Sequence, residues 1–71
     1  MIVYTPLWET MKKKGVTTYT LRVKYKISGS TVQRFKKNMS VSTNTLADLC
    51  GLLNCELSEV AEYRRDAELA L

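Results

Sequence analysis

Between Thr17 and Asn38 the chain reads TTYTLRVKYKISGSTVQRFKKN, and its apolar positions recur at helical rather than strand spacing. Leu21 and Tyr25 stand four apart, Ile27 follows, and Val32 and Phe35 stand three apart. At about 100° per residue, Val32 and Phe35 share one face of a helix while Ser30, Gln33, Arg34 and Lys37 gather on the opposite face. Thr17 and Ser28 sit where N-caps are needed, each with a hydroxyl able to accept from an unpaired backbone amide. The pattern predicts two short helices, Thr18 to Tyr25 and Gly29 to Lys37, joined by a turn at Ile27-Ser28. Leu21, Tyr25 and Ile27 would pack against Val32 and Phe35, leaving the outer side of the second helix polar and basic.

The same reading extends along the chain. Thr5-Pro6 predicts a helix start, because proline in the first turn forfeits an amide that has no partner there, and the helix runs Pro6 to Lys14. Leu7 and Met11 face inward with Trp8 beside them. Lys12, Lys13 and Lys14 place positive charge at the negative end of the helix dipole, and Gly15 suits the left-handed position past the end. Asn38 closes the Gly29 to Lys37 helix, Met39 to Val41 is a connector, and Ser42 caps a helix over Thr43 to Leu53 with an apolar stripe of Leu46, Leu49, Cys50 and Leu53. A last short helix near Ser58 to Glu62 offers Leu57, Val60 and Ala61. Ile2-Val3-Tyr4 is too apolar for a loose tail and is a candidate strand, with Tyr63-Arg64 as its candidate partner. Asp66 to Leu71 reads as an untidy end or a helical extension. The expected fold is all-α, a compact five-helix domain spanning residues 1–71, with a short strand pairing the chain ends as an option. At 71 residues there is one core and little chain left for an effector pocket, so no small-molecule ligand is expected.

Charge changes the picture. Residues 1–41 hold nine Lys or Arg against Glu9 alone, a formal +8, whereas residues 42–71 hold Arg64 and Arg65 against six acids, a formal −4. The net +4 therefore conceals a dipolar chain, the pattern of a protein that meets a polyanion with one side. Other chemistry is thinly provided for. There is no histidine, and Cys50 and Cys55 alone cannot complete a four-ligand zinc site, so they read as two reduced thiols in or near the core. No paired carboxylates, Gly-rich phosphate loop or activated thiol is identifiable; no catalytic residue, cofactor or metal is expected, and the chain is not read as an enzyme. No apolar run is long enough to span a bilayer, and MIVYTPLWET lacks the basic-then-apolar order of a signal peptide, so the expectation is a soluble, cytoplasmic protein with no membrane partner.

Two short helices at a sharp turn, the second with a basic outer face, outline a helix-turn-helix over residues 17–38, a device for placing one helix in a DNA groove. Leu21, the Ile27-Ser28 turn, Ser30-Thr31-Val32, Phe35, the Ser42 to Leu53 helix and Cys55-Glu56-Leu57-Ser58 together resemble the phage Cro and repressor-type (XRE-like) helix-turn-helix family, in its small single-domain bacterial or phage branch. The resemblance covers about Tyr4 to Tyr63. It departs from the family pattern at four places. Arg22 stands where a small Ala is usual, which predicts a side chain lying along its helix with the charge in solvent. Lys26 stands where the turn commonly has Gly, Thr18 where many members have a phosphate-bonding Gln, and Gly29 where a long base-reading side chain is common, so that one contact is lost.

The resemblance and the residues together imply a sequence-specific, double-stranded DNA-binding transcriptional regulator, a repressor inserting helix 29–37 in the major groove and pairing as a homodimer on DNA. Ser30, Gln33 and Arg34 are the candidate base readers, Arg34 through a bidentate guanine contact and Gln33 through adenine. Thr17, Thr18, Thr31, Lys36, Lys37, Ser42 and Thr43 are the candidate phosphate contacts, using helix N-termini, hydroxyls and ammonium groups. Ser42 and Thr43 are equally well read as caps only. Trp8, Tyr25 and Phe35 read as core rather than as stacking platforms. The acidic final third, with Val60, Tyr63, Leu69 and Leu71, is the candidate self-association surface. The alternative is a protein-interaction module, antitoxin-like or a phage accessory protein, on the same fold.

Overall fold

A computed structural model describes residues 1–65. In chain order the elements are β1 (Ile2–Val3), α1 (Thr5–Lys14), α2 (Thr18–Val23), α3 (Gly29–Lys36), α4 (Thr43–Leu53), a single 3-10 turn (Leu57–Glu59) and β2 (Glu62–Tyr63). The strands pair antiparallel with Ile2 opposite Tyr63 and Val3 opposite Glu62. The pairing is extended by the N-terminal amine of Met1 donating to the Arg64 carbonyl and by the Arg64 amide donating to the Met1 carbonyl, both at 2.8 Å.

One core holds the helices together. Tyr4, Leu7, Met11, Leu21, Phe35, Leu49, Leu53 and Val60 form a buried cluster, with Trp8, Val16, Tyr25, Ile27, Val41, Leu46, Cys50 and Cys55 packed against its rim. Both cysteines are free thiols, half-buried there, and burial raises the pKa of Cys55, with Cys50 and Glu59 adding to the shift. Val32 is also buried. Every apolar position assigned inward on the two central helices is therefore inside or against the core. Thr10, buried on α1, adds a polar tie by donating to the Glu59 carbonyl at 2.7 Å, which fastens the 3-10 turn to the first helix.

Helix ends follow local chemistry. Gly15, Asn38 and Asn54 all take left-handed φ, at 68°, 54° and 50°. At each, the following amide reaches back to the carbonyl five residues earlier, Val16 to Met11, Met39 to Arg34 and Cys55 to Cys50, satisfying otherwise orphaned carbonyls. Lys26 also takes φ 58°, so the turn keeps the left-handed geometry without a glycine. There the Ile27 amide reaches the Leu21 carbonyl, a wider closure than at the other ends.

Three expectations are corrected. The second helix stops at Val23 and the third at Lys36, a residue or two short of the sequence boundaries, because the chain leaves helical geometry on its way to Lys26 and Asn38. The fifth helix is only the 3-10 turn, giving four α-helices among the described residues. At its start the Glu56 amide donates to the Glu59 carboxylate at 2.8 Å, and Val60 then drops into the core before the chain turns into β2. Val60, expected at a self-association surface, is consequently sealed from any partner, while Tyr63 is 71% exposed. Leu69 and Leu71 lie outside the described residues, as does the Asp66 to Leu71 extension.

Tyr4 is not part of the strand but the pin of the fold. Its backbone amide donates to the Asn38 side-chain oxygen at 3.0 Å and its hydroxyl to the Met39 carbonyl at 2.8 Å. Its ring meets Phe35 edge to face, with centroids 4.7 Å apart and planes at 77°. Burial raises the pKa of the phenol, keeping it a donor through the neutral range.

Two stability measurements test this account. Asn38→Ala is expected to destabilise more than Asn54→Ala, by about 1 kcal/mol, because both lose a left-handed asparagine but only Asn38 carries the bond to Tyr4; equal urea-unfolding midpoints for the two variants would contradict it. Lys26→Gly is expected to stabilise by up to about 1 kcal/mol, the left-handed penalty of roughly 1 to 2 kcal/mol exceeding the extra chain entropy of glycine. A lower midpoint for this variant would show that the lysine side chain contributes something beyond its backbone geometry.

Candidate nucleic-acid interface

The second helix of the pair is amphipathic in the sense required. Val32 and Phe35 are 3% and 1% exposed, while Ser30, Gln33, Arg34, Lys36 and Lys37 all lie on the surface. Its first turn is organised by Ser28, whose hydroxyl accepts from the Thr31 amide at 3.2 Å and lies 2.8 Å from the Thr31 hydroxyl and 3.1 Å from that of Ser30.

The same cap recurs twice. Thr17 accepts from the Thr20 amide at 3.1 Å and pairs hydroxyls with Thr20; Ser42 accepts from the Thr45 amide at 3.1 Å and pairs hydroxyls with Thr45. In each, a threonine occupies the position where the usual capping box has Glu or Gln. No acidic residue stands in the first turn of any of the four α-helices. Aspartate or glutamate there would strengthen each helix by about 0.3 to 1 kcal/mol through the dipole, so the neutral hydroxyls preserve positive N-termini at some cost in stability. Such termini favour an anion.

The cations are equally available. All nine lysines and arginines between Lys12 and Lys37 are exposed, and among the described residues the ion pair is Arg64 with Glu62, at 3.0 Å and far along the chain. Of the described carboxylates, Glu9 is carried by α1, while Asp48, Glu56, Glu59 and Glu62 lie on α4, at or beside the 3-10 turn and on β2.

The structure brings part of the expected residue set together. Thr31, Arg34 and Ser42 line a small polar cleft of about 280 Å³ with Ser40, Val41 and Thr45, between α3 and the start of α4. Arg34 leans toward this cleft, donating through Nη1 to the Ser40 carbonyl at 3.3 Å, a restraint the sequence did not reveal. Gln33, Ser30 and Lys37 share the exposed side of α3 or its end, Lys36 is the last residue of that helix, and Thr43 opens α4 beside Ser42. Thr17 and Thr18 belong to the separate start of α2, where Thr17 acts as the cap.

A further group escaped the sequence reading. The guanidinium of Arg22 lies against Gly29, its Nε 3.6 Å and its Cζ and Nη2 3.8 Å from where a β-carbon on that glycine would stand. The available signal was the pair itself, a long side chain at a crowded helix position and, seven residues on, a glycine that has no positive φ to explain it.

The arrangement is thus a helix seated by its apolar face, with hydroxyl-capped helix starts and unpaired cations available to an anionic partner. Comparison with known proteins agrees. The chain is similar to a crystal structure of the transcriptional regulator VanUg, with a TM-score of 0.83 and 28% sequence identity, covering 92% of this chain and 87% of that one. No curated protein matches it in sequence. A family model described as the Cro/C1-type HTH DNA-binding domain matches residues 6–66, and the chain belongs to that family.

Proposed function

We propose that this protein is a sequence-specific, double-stranded DNA-binding transcriptional regulator, a repressor that acts by occupying its operator with α3 in the major groove. The observation that carries the reading is the orientation of α3, which turns Val32 and Phe35 inward and leaves Ser30, Gln33, Arg34 and Lys37 in solvent. Ser30, Gln33 and Arg34 act as base readers, since residues at the front and outer face of such a helix reach base edges. The bond from Arg34 to Ser40 uses one of five guanidinium donors and leaves others for guanine O6 and N7. Thr17, Thr18, Thr31, Ser42 and Thr43 offer hydroxyls and helix-start amides to phosphates, and Lys36 and Lys37 offer charge.

A domain of this size reads few base pairs, and pairing on half-sites about 34 Å apart supplies the missing specificity, so the protein acts as a homodimer on DNA. With Val60 in the core, the pairing surface draws instead on Tyr63 and the neighbouring exposed apolar residues. Met1, Ile2, Met39, Leu57 and Tyr63 line one groove of about 510 Å³. No helix among the described residues is long and apolar enough to cross a membrane.

Salt dependence tests the proposal directly. If about four to six phosphates are neutralised, log affinity for duplex DNA falls with log salt at a slope of about −0.9 per phosphate. A titration with no duplex binding at low salt would overturn the reading and leave the protein-interaction module in its place. The division of roles has its own test. Arg34→Ala is expected to relax base preference by about 1 to 3 kcal/mol at one position, whereas Lys37→Ala weakens all sequences alike and lowers the salt slope by about 1. Equal loss of preference from the two variants would refute the assignment.

A further inference from the structure

Two departures from the family pattern, on successive helices, meet in space. Gly29 opens α3 at the position where a long side chain would project from the front of the helix, and Arg22 of α2 lays its guanidinium over that glycine at 3.6 to 3.8 Å from the β-carbon position. The glycine is not required by the backbone, because Gly15 is the glycine with positive φ. A β-carbon at position 29 would make only ordinary contact with the guanidinium, which occupies the space a longer side chain there would share.

Stability does not account for the arginine. It sits beside the N-terminus of α3, where the helix dipole disfavours a cation. Among the described residues no carboxylate pairs with it and no carbonyl accepts from it, in contrast to Arg34 and Arg64, which both have partners. Among the described residues its donors therefore remain without a partner.

We infer that Arg22 is a specificity-determining residue, reading a guanine edge at the front of the recognition helix in place of the side chain that Gly29 lacks. The inference rests on the DNA-binding reading above and adds a reader from outside α3. A base edge is favoured over a phosphate because the guanidinium lies across the first residue of α3, and the N-terminal part of such a helix is what enters the groove. The planar fork matches guanine O6 and N7 together, a fit that an ammonium group cannot reproduce.

The experiment is a selection of bound sites from random duplexes with the full-length protein, repeated for Arg22→Ala and Arg22→Lys, with thermal melts to establish that both variants are folded. The expected result is a loss of guanine preference at a single base pair in Arg22→Ala, by at least about five-fold, with the rest of the site unchanged. Arg22→Lys keeps the charge and does not restore the preference. A uniform loss across all sequences, rescued by lysine and accompanied by a salt slope shallower by about 0.9, would overturn the inference in favour of a phosphate contact. An unchanged site in Arg22→Ala would overturn it outright. Failure of the wild-type protein to bind any duplex would instead remove the DNA-binding reading and this inference with it.

Discussion

The seat of α3 in the core is the constraint on which everything else depends. Phe35 is buried against Tyr4, and the same tyrosine holds the end of that helix through Asn38 and the Met39 carbonyl. Burying a Phe contributes about 1.5 to 3 kcal/mol, an edge-to-face aromatic pair about 0.5 to 1.5 beyond that, and each hydrogen bond about 1. Against a total stability of roughly 5 to 15 kcal/mol for a small domain, this one junction is a large share. It also fixes a rotation. With Val32 and Phe35 inside, Gln33 and Arg34 have nowhere to go but outward, so the polar, basic face of α3 is a consequence of packing.

Asn38 shows how closely the two ends of the chain are coupled through this junction. A glycine would reach the same left-handed φ at lower strain, yet it could not accept from the Tyr4 amide, which stands at the start of α1. The residue that ends α3 therefore also helps begin α1. The β1–β2 pair and the Thr10 bond to Glu59 fasten the C-terminal part of the described chain to the same helix.

The face itself departs repeatedly from what stability alone would choose. Three helices start with a hydroxyl and a threonine rather than a hydroxyl and an acid, Lys26 occupies a left-handed position, and Arg22 crosses the positive end of a helix dipole. Local rules broken together are expected where a ligand supplies the missing partner. The DNA-binding family gives a partner of that kind, since helix starts free of acidic residues favour an anion. In this Cro/C1-type domain all four α-helices start without an acid in the first turn, and α2, α3 and α4 add a hydroxyl cap, while Glu59 stands in the first turn of the 3-10 element.

The sequence by itself determined the helices, because their signals are local: apolar spacing gave α3 and α4 their inward faces, hydroxyls marked their starts, and Gly15 and Asn38 stood at or beside the ends of α1 and α3. The basic outer face of α3 was legible for the same reason, periodicity and charge being properties of a single segment. Only the tertiary structure decided what depends on contacts between separate elements. It buried Val60, reduced the fifth helix to one turn, drew Arg34 toward Ser40, made Tyr4 an anchor and laid Arg22 over Gly29. A hydrogen bond or van der Waals contact across such separations follows from how helices pack, and no spacing along the chain encodes it.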